Sequence, residues 1–235
     1  MTSKGTLYLL PVWLGEAGGT ELLPPANIAL AERIGLFFCE DLRTARRMLR
    51  RHSRAIDLDA IEMHLLDKDT PDTEVARYAE LLGTRDAAII SEAGMPCIAD
   101  PGARLVAQAH RRQVAVVPLT GPSSLLLALS ASGLNGQQFS FHGYLPREAA
   151  ARKQMIKALD QQARQTGAAQ LFIETPYRND ALLADLLATC SGDRLLCIAI
   201  DLEQPGGSVH TRPVKAWRNA VPLLGKRPCV FILGR

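Results

Sequence analysis

Ser91-Glu92-Ala93-Gly94-Met95-Pro96-Cys97-Ile98-Ala99-Asp100-Pro101-Gly102 lies between an apolar run, Ala87-Ala88-Ile89-Ile90, and an amphipathic stretch, Ala103-Arg104-Leu105-Val106-Ala107-Gln108-Ala109. The run reads as a buried strand and the stretch as a helix. In open α/β sheets, ligands bind outside the carboxyl ends of strands, in loops placed like this one. A loop that only connects needs fewer backbone-special residues in so short a space. The stretch is therefore half of a small-molecule site in an α/β protein.

Upstream, Leu7–Val12 reads as a first buried strand. A loop with Gly15, Gly18, Gly19, Pro24 and Pro25 follows, and Pro25 suits the first turn of a helix running to about Arg33. Ile34–Cys39 is a second strand and Leu42–Arg51 a helix. Pro71-Asp72-Thr73-Glu74 opens another helix, with Asp72 or Thr73 as its cap. Val114–Pro118 is a strand after the Arg104–Arg111 helix. Strand and helix alternate, as in a sheet with substantial parallel pairing.

The texture changes after Thr120-Gly121-Pro122-Ser123-Ser124 and the helix Leu125–Ala131, which stops at Gly133. Phe139–Gly143 alternates with period 2, like an antiparallel strand. Pro146–Thr166 is a charged, exposed helix, and Gln170–Glu174, Leu195–Ile200 and Cys229–Leu233 are strands. These features predict two α/β domains, 1–118 and 119–235, the second with more antiparallel pairing.

Composition narrows the class. The 235 residues are 47% hydrophobic and 22% charged, a globular mixture with ample core material. A net charge of +3 is too mild to identify a nucleic-acid binder by itself. Cys39, Cys97, Cys190, Cys197 and Cys229 are scattered, without CxxC or zinc spacing, and read as reduced cysteines. No signal-peptide h-region and no apolar stretch of membrane length is present, which points to the cytoplasm. No metal is expected.

Thr120–Ser124 is a second special loop, with two hydroxyls at a helix start. Such an end carries free N–H donors and suits a carboxylate or phosphate, although Pro-Ser-Ser is also an ordinary cap. Arg43, Arg46, Arg47, Arg50, Arg51 and Arg54 crowd one segment. Spacings of three and four put Arg43, Arg47, Arg50 and Arg54 on one helical face, a stripe suited to RNA phosphates or to solvent. His142 lies in an apolar strand and reads as structural. Glu174-Thr175-Pro176-Tyr177-Arg178 lines a cleft or forms a turn.

In this order, these loops resemble the tetrapyrrole methylase superfamily, and most closely its branch that 2′-O-methylates a cytidine ribose in small-subunit ribosomal RNA. The resemblance rests on Gly5-Thr6-Leu7-Tyr8, Glu40-Asp41-Leu42-Arg43-Thr44, Ser91–Gly102, Gly121-Pro122-Ser123-Ser124 with Ala128–Leu134, Phe141–Arg147 and Phe172–Arg178. It departs at Pro11-Val12-Trp13-Leu14-Gly15-Glu16, where the branch reads roughly Thr-Pro-Ile-Gly-Asn-Leu. It departs again at Asp201–Gly207, where the branch carries Glu-Leu-Thr-Lys.

The resemblance implies two α/β domains with S-adenosylmethionine in the cleft between them, and a homodimer. It implies that Gly94, Met95, Pro96, Cys97, Ile98, Ser123 and Ser124 hold the cofactor, joined by Tyr177, Ala199 and Pro228. Arg43, Arg47, Arg50 and Arg54 would dock RNA. Glu92, Asp100 and Glu174 are the acids in the motifs, and the choice of a base among them stays open. A tetrapyrrole or other small-molecule methylase is the alternative within this chemistry. A non-catalytic protein that binds S-adenosylmethionine or RNA is the alternative outside it.

Overall fold

The structure, a computed structural model, describes residues 5–17 and 20–235. Met1–Lys4 and the Gly18-Gly19 pair of the first loop lie outside the described residues. The chain divides into two compact units, one ending at Ser123 and the other starting at Ser124.

The first unit runs β1 (Thr6–Leu10), α1 (Pro25–Ala31), β2 (Leu36–Cys39), α2 (Leu42–His52), β3 (Glu62–Leu65), α3 (Asp72–Leu81), β4 (Ala87–Ile90), α4 (Ala103–Arg111) and β5 (Ala115–Pro118). Its strands form one sheet of order β3-β2-β4-β1-β5, and every pairing is parallel. A parallel sheet needs a cover on both faces, so its inner strands are apolar throughout. Each residue of β2 and β4 is accordingly buried. Leu30, Ala45, Met48 and Leu49 of α1 and α2 pack into one core cluster. Val75, Tyr78, Leu105 and Ala109 of α3 and α4 pack into another. The connections from β1 and β4, which are neighbours, leave in opposite directions, so a crevice opens at their carboxyl ends.

The second unit runs α5 (Ser124–Ser132), β6 (Phe139–Tyr144), α6 (Ala149–Thr166), β7 (Ala169–Ile173), α7 (Asn179–Thr189), β8 (Leu195–Ile200), β9 (Ser208–Pro213), α8 (Val214–Asn219) and β10 (Cys229–Gly234). Its sheet is mixed, of order β6-β7-β10-β8-β9. Phe172 and Phe231 stack on neighbouring strands with ring centres 5.9 Å apart. Two buried arginines tie helices down: Arg152 of α6 bonds Asp185 of α7 at 2.7 Å, and Arg194 bonds Asp160 at 2.7 Å and the carbonyl of Gly234 at 3.1 Å.

Several expectations are corrected. β6 pairs parallel with β7, not antiparallel, because α6 carries the chain back across the sheet. β1 ends at Leu10, since Pro11 cannot donate to the ladder. Pro71, not Asp72 or Thr73, occupies the cap position of α3, and no side chain caps it; Asp72 instead pairs with Arg104 of α4. Pro146–Thr166 is helical only from Ala149, and its Arg152, Ile156, Leu159 and Ala163 are buried rather than exposed. Arg54 lies beyond α2, which ends at His52 with Ser53 extended.

Candidate cofactor site

Three loops meet at the carboxyl ends of β4, β1 and β5. The peptide N–H of Val12 donates to the carbonyl of Gly94 at 2.9 Å, and the Ser91 hydroxyl donates to that same oxygen at 2.8 Å. Gly94 has φ +71°, and a Cβ there would stand 2.9 Å from Leu14 Cδ2 and 3.1 Å from the carbonyl oxygen of Pro122. Only glycine satisfies both the dihedral and the space. Gly121 is pressed equally hard, with a Cβ position 2.3 Å from the ring of Pro11. The Asn27 amide donates to the carbonyl of Thr120 at 2.8 Å and anchors the third loop to α1.

The signature loop also holds two non-glycine residues in the left-handed region, Cys97 at φ 69° and Ala99 at φ 64°. Such conformations cost of order 1–3 kcal/mol each and persist where the surroundings impose them, often at ligand sites. Gly94 and Pro96 are buried, Met95 and Cys97 half-buried, and Ile98 exposed. Ser123 is buried and Ser124 opens α5. These residues fit a ligand held by peptide groups and small hydroxyls. Gly94 admits no side chain, and Ile98 is the large apolar residue the loop leaves exposed.

Behind the loop lies a carboxyl pair. Glu40 follows β2, and its carboxyl interacts with that of Asp100. Burial, then the charge of Glu40, push Asp100 up to about 8, and burial also raises Glu40. Two carboxyls in one half-buried place hold one proton between them. Burial pushes the Cys97 thiol up to about 12, so it is no nucleophile at neutral pH.

The Asp100 shift carries a pH signature. The folded chain keeps this proton up to about pH 8, whereas an unfolded Asp loses it near pH 4. Stability is therefore fully present below the unfolded value, declines as pH rises toward about 8, and then levels off. Asp100→Asn, which imitates the protonated carboxyl, should shrink the fall in Tm between pH 6 and pH 9. Differential scanning calorimetry across that range checks this, and an unchanged slope would place the proton elsewhere.

In the second unit, Glu174 is buried at the end of β7, accepts from the peptide N–H of Thr175 at 2.6 Å, and pairs with Arg178. This pair shapes a short turn, Pro176–Arg178, that leaves Tyr177 79% exposed. The Lys226 ammonium lies 4.9 Å from the Tyr177 ring centre. Pro228 is exposed just before β10, and its carbonyl accepts from Asp201 N–H. Ala199 sits in β8, buried with Leu125, Leu129 and Val230. His142 is paired with Gln170 at 2.7 Å, as a structural histidine would be.

The arginine segment does more than present charge. Arg43, Arg46 and Arg47 are exposed on α2. Arg50 turns back to donate to the carbonyls of Arg54 and Ile56, at 2.9 and 3.2 Å. Arg46 pairs with Asp59 and Arg47 with Glu16. Sequence reasoning passed over Arg51, which donates to the carbonyl of Gly15 at 2.8 Å. The unusual Trp13-Leu14-Gly15-Glu16 run was the available signal. Among the described residues, no group of three or more His, Cys, Asp or Glu is placed to hold a metal ion. No helix among them is long and apolar enough to cross a membrane.

Comparison with known proteins identifies the family. A family model described as Tetrapyrrole (Corrin/Porphyrin) Methylases matches residues 17–201. A protein named Ribosomal RNA small subunit methyltransferase I from Micromonospora olivasterospora is 38% identical over 203 residues, covering 85% of this chain and 60% of the relative. One of the same name from Pseudomonas aeruginosa is 31% identical over 213 residues, covering 90% and 71%. The chain thus spans only about 60% of the length of the first of these relatives. Among solved structures, the methyltransferase CobJ superposes with a TM-score of 0.63 at 16% identity, covering 98% of this chain and 94% of that one. Uroporphyrin-III C-methyl transferase from Thermus thermophilus, complexed with S-adenyl homocysteine, gives 0.55 at 16% identity, covering 98% of each. At such identity these two show the shared fold. The chain belongs to the tetrapyrrole (corrin/porphyrin) methylase family.

Proposed function

We propose that this protein is an S-adenosylmethionine-dependent methyltransferase acting on a ribose hydroxyl of small-subunit ribosomal RNA. The observation that carries the cofactor assignment is the convergence of residues 11–14, 91–102 and 120–123 on Gly94, at the crevice of a parallel sheet. The RNA assignment draws on the relatives' names and on exposed Arg43 and Arg47.

S-adenosylmethionine supplies an electrophilic methyl group on a sulfonium. The work left to the protein is to hold the acceptor roughly 3–3.5 Å from that methyl and in line with it. Gly94, Met95, Pro96, Cys97 and Ile98 would bind through peptide groups, and Ser123 and Ser124 through hydroxyls at the start of α5. In the second unit Tyr177 offers an exposed ring and Pro228 a small, apolar surface for a nucleoside, while the Ala199 side chain is enclosed in the core beneath. Glu174 is engaged by Arg178 and Thr175, which suits a positioning role better than a base. Arg43 and Arg47 would dock phosphates, with Arg50 and Arg54 closing the end of that helix. The same reading includes a cytoplasmic location and a second copy of the chain as partner.

Calorimetric titration with S-adenosylmethionine tests the cofactor assignment. Wild type should bind at micromolar Kd, and Ser123→Ala with Ser124→Ala should weaken binding about tenfold, the loss of one or two hydrogen bonds. Methyl transfer from labelled cofactor to undermethylated small ribosomal subunits tests the acceptor. Transfer to a tetrapyrrole instead would move the assignment to small-molecule methylation, and binding without any transfer would make the protein non-catalytic.

A further inference from the structure

The first loop, where this chain departs from the branch it resembles, is held from below by α2. Trp13 is fully buried, and its ring centre lies 4.6 Å from that of His52. The Arg51 guanidinium lies 4.4 Å from the Trp13 ring centre and donates to the carbonyl of Gly15. Glu16 is met by Arg47 at 2.8 Å. His52 is buried, with Nδ1 2.9 Å from the carbonyl of Met48, and burial pushes its pKa down. A neutral imidazole therefore sits beside the guanidinium without repelling it. One residue back along the loop, Val12 bonds Gly94, and one residue on, Leu14 reaches the open side of Gly94.

We infer that Arg51 is a positioning residue: stacked on Trp13 and bonded to Gly15, it clamps the first loop against Gly94 and so sets the geometry in which the cofactor is held. The inference rests on the proposed cofactor assignment. The arrangement is directional. A guanidinium stacks on indole by its face while its N–H groups donate in the plane, so one side chain can serve both contacts. Loop position and helix α2 then share one support, and the arginines proposed to meet RNA project from the same helix.

The test combines Arg51→Ala, Arg51→Met, Arg51→Lys and, as a control for lost charge, Arg111→Ala. Each is made in a Trp217→Phe background, which leaves Trp13 as the sole tryptophan. Acrylamide quenching of Trp13 reads the loop, and calorimetry with S-adenosylmethionine reads the site. Arg51→Ala and Arg51→Met should raise quenching and weaken cofactor binding about tenfold, the worth of one charged hydrogen bond. Arg51→Lys should recover part of the affinity, Arg111→Ala should match its parent, and Arg51→Met keeps the packing stem should the alanine variant unfold. Raised quenching with unchanged affinity overturns the inference, because the clamp would then serve the loop alone. Unchanged quenching overturns it too. A parent protein that binds no S-adenosylmethionine would fail one level lower and remove the cofactor assignment with it.

Discussion

Gly121→Ala should destabilise the first unit by about 3 kcal/mol, at the upper end of overpacking costs, and should weaken S-adenosylmethionine binding at least tenfold. The added methyl would sit 2.3 Å from two carbons of the Pro11 ring. Neither partner can step aside. Pro11 directly follows β1, whose residues are paired on both sides, and the Thr120 carbonyl is held by Asn27. The strain would therefore push the first and third loops apart at Gly94. Urea unfolding followed by calorimetry reads both effects. Gly136→Ala, where no atom lies within 4 Å of the new carbon, is the control and should be near neutral. A Gly121→Ala protein with wild-type midpoint and affinity would mean that the loops are not packed as described.

Glu174→Ala should cost the second unit about 3 kcal/mol, the low end for removing one partner of a buried ion pair. Its carboxylate is inaccessible, while Arg178 keeps about a quarter of its side chain in solvent and can partly rehydrate. The Thr175 amide also loses its acceptor. Because this pair shapes the turn bearing Tyr177, cofactor affinity should fall together with stability. Glu174→Gln separates two roles. A positioning carboxylate predicts partial loss of both, measured by denaturant midpoint and calorimetry. A base predicts abolished transfer with stability nearly intact.

The parallel core was legible because β2 and β4 are short, wholly apolar runs bounded by turn residues, and because the signature loop names its own place at a strand end. The elements that escaped notice lack a clean hydrophobic period. β3, Glu62-Met63-His64-Leu65, and β9, Ser208–Pro213, are edge strands, each bonded on one side only, so polar residues are tolerated and the hydrophobic pattern fades. α7 gathers Leu182, Leu183, Leu186 and Leu187 on one face, but Asn179 and Asp180 fall on or beside the same face and blur the amphipathic period. The parallel sense of β6 depends on where α6 delivers the chain, which no local pattern encodes. At the site, the glycines and serines stood out as residue types. The brace of Arg51 on Trp13 did not, because it joins residues 38 positions apart through a shape visible only once folded. The Glu40–Asp100 proton is hidden for the same reason.

β1 lies between β4 and β5 in the parallel sheet, and this bears on the order of synthesis. It precedes both partners in the chain, and they are distant: Leu7 pairs with Ala87, and Thr6 with Ala115. No hairpin offers it a nearby neighbour, and each edge waits for a later crossover. A nascent chain thus carries β1 with both edges open until β4 is available and with one edge open until β5 follows, a stage at which such segments are prone to pair with the wrong partner. The Gly121 loop of the proposed cofactor site directly follows β5, so that site is completed by the same event that gives β1 its second neighbour.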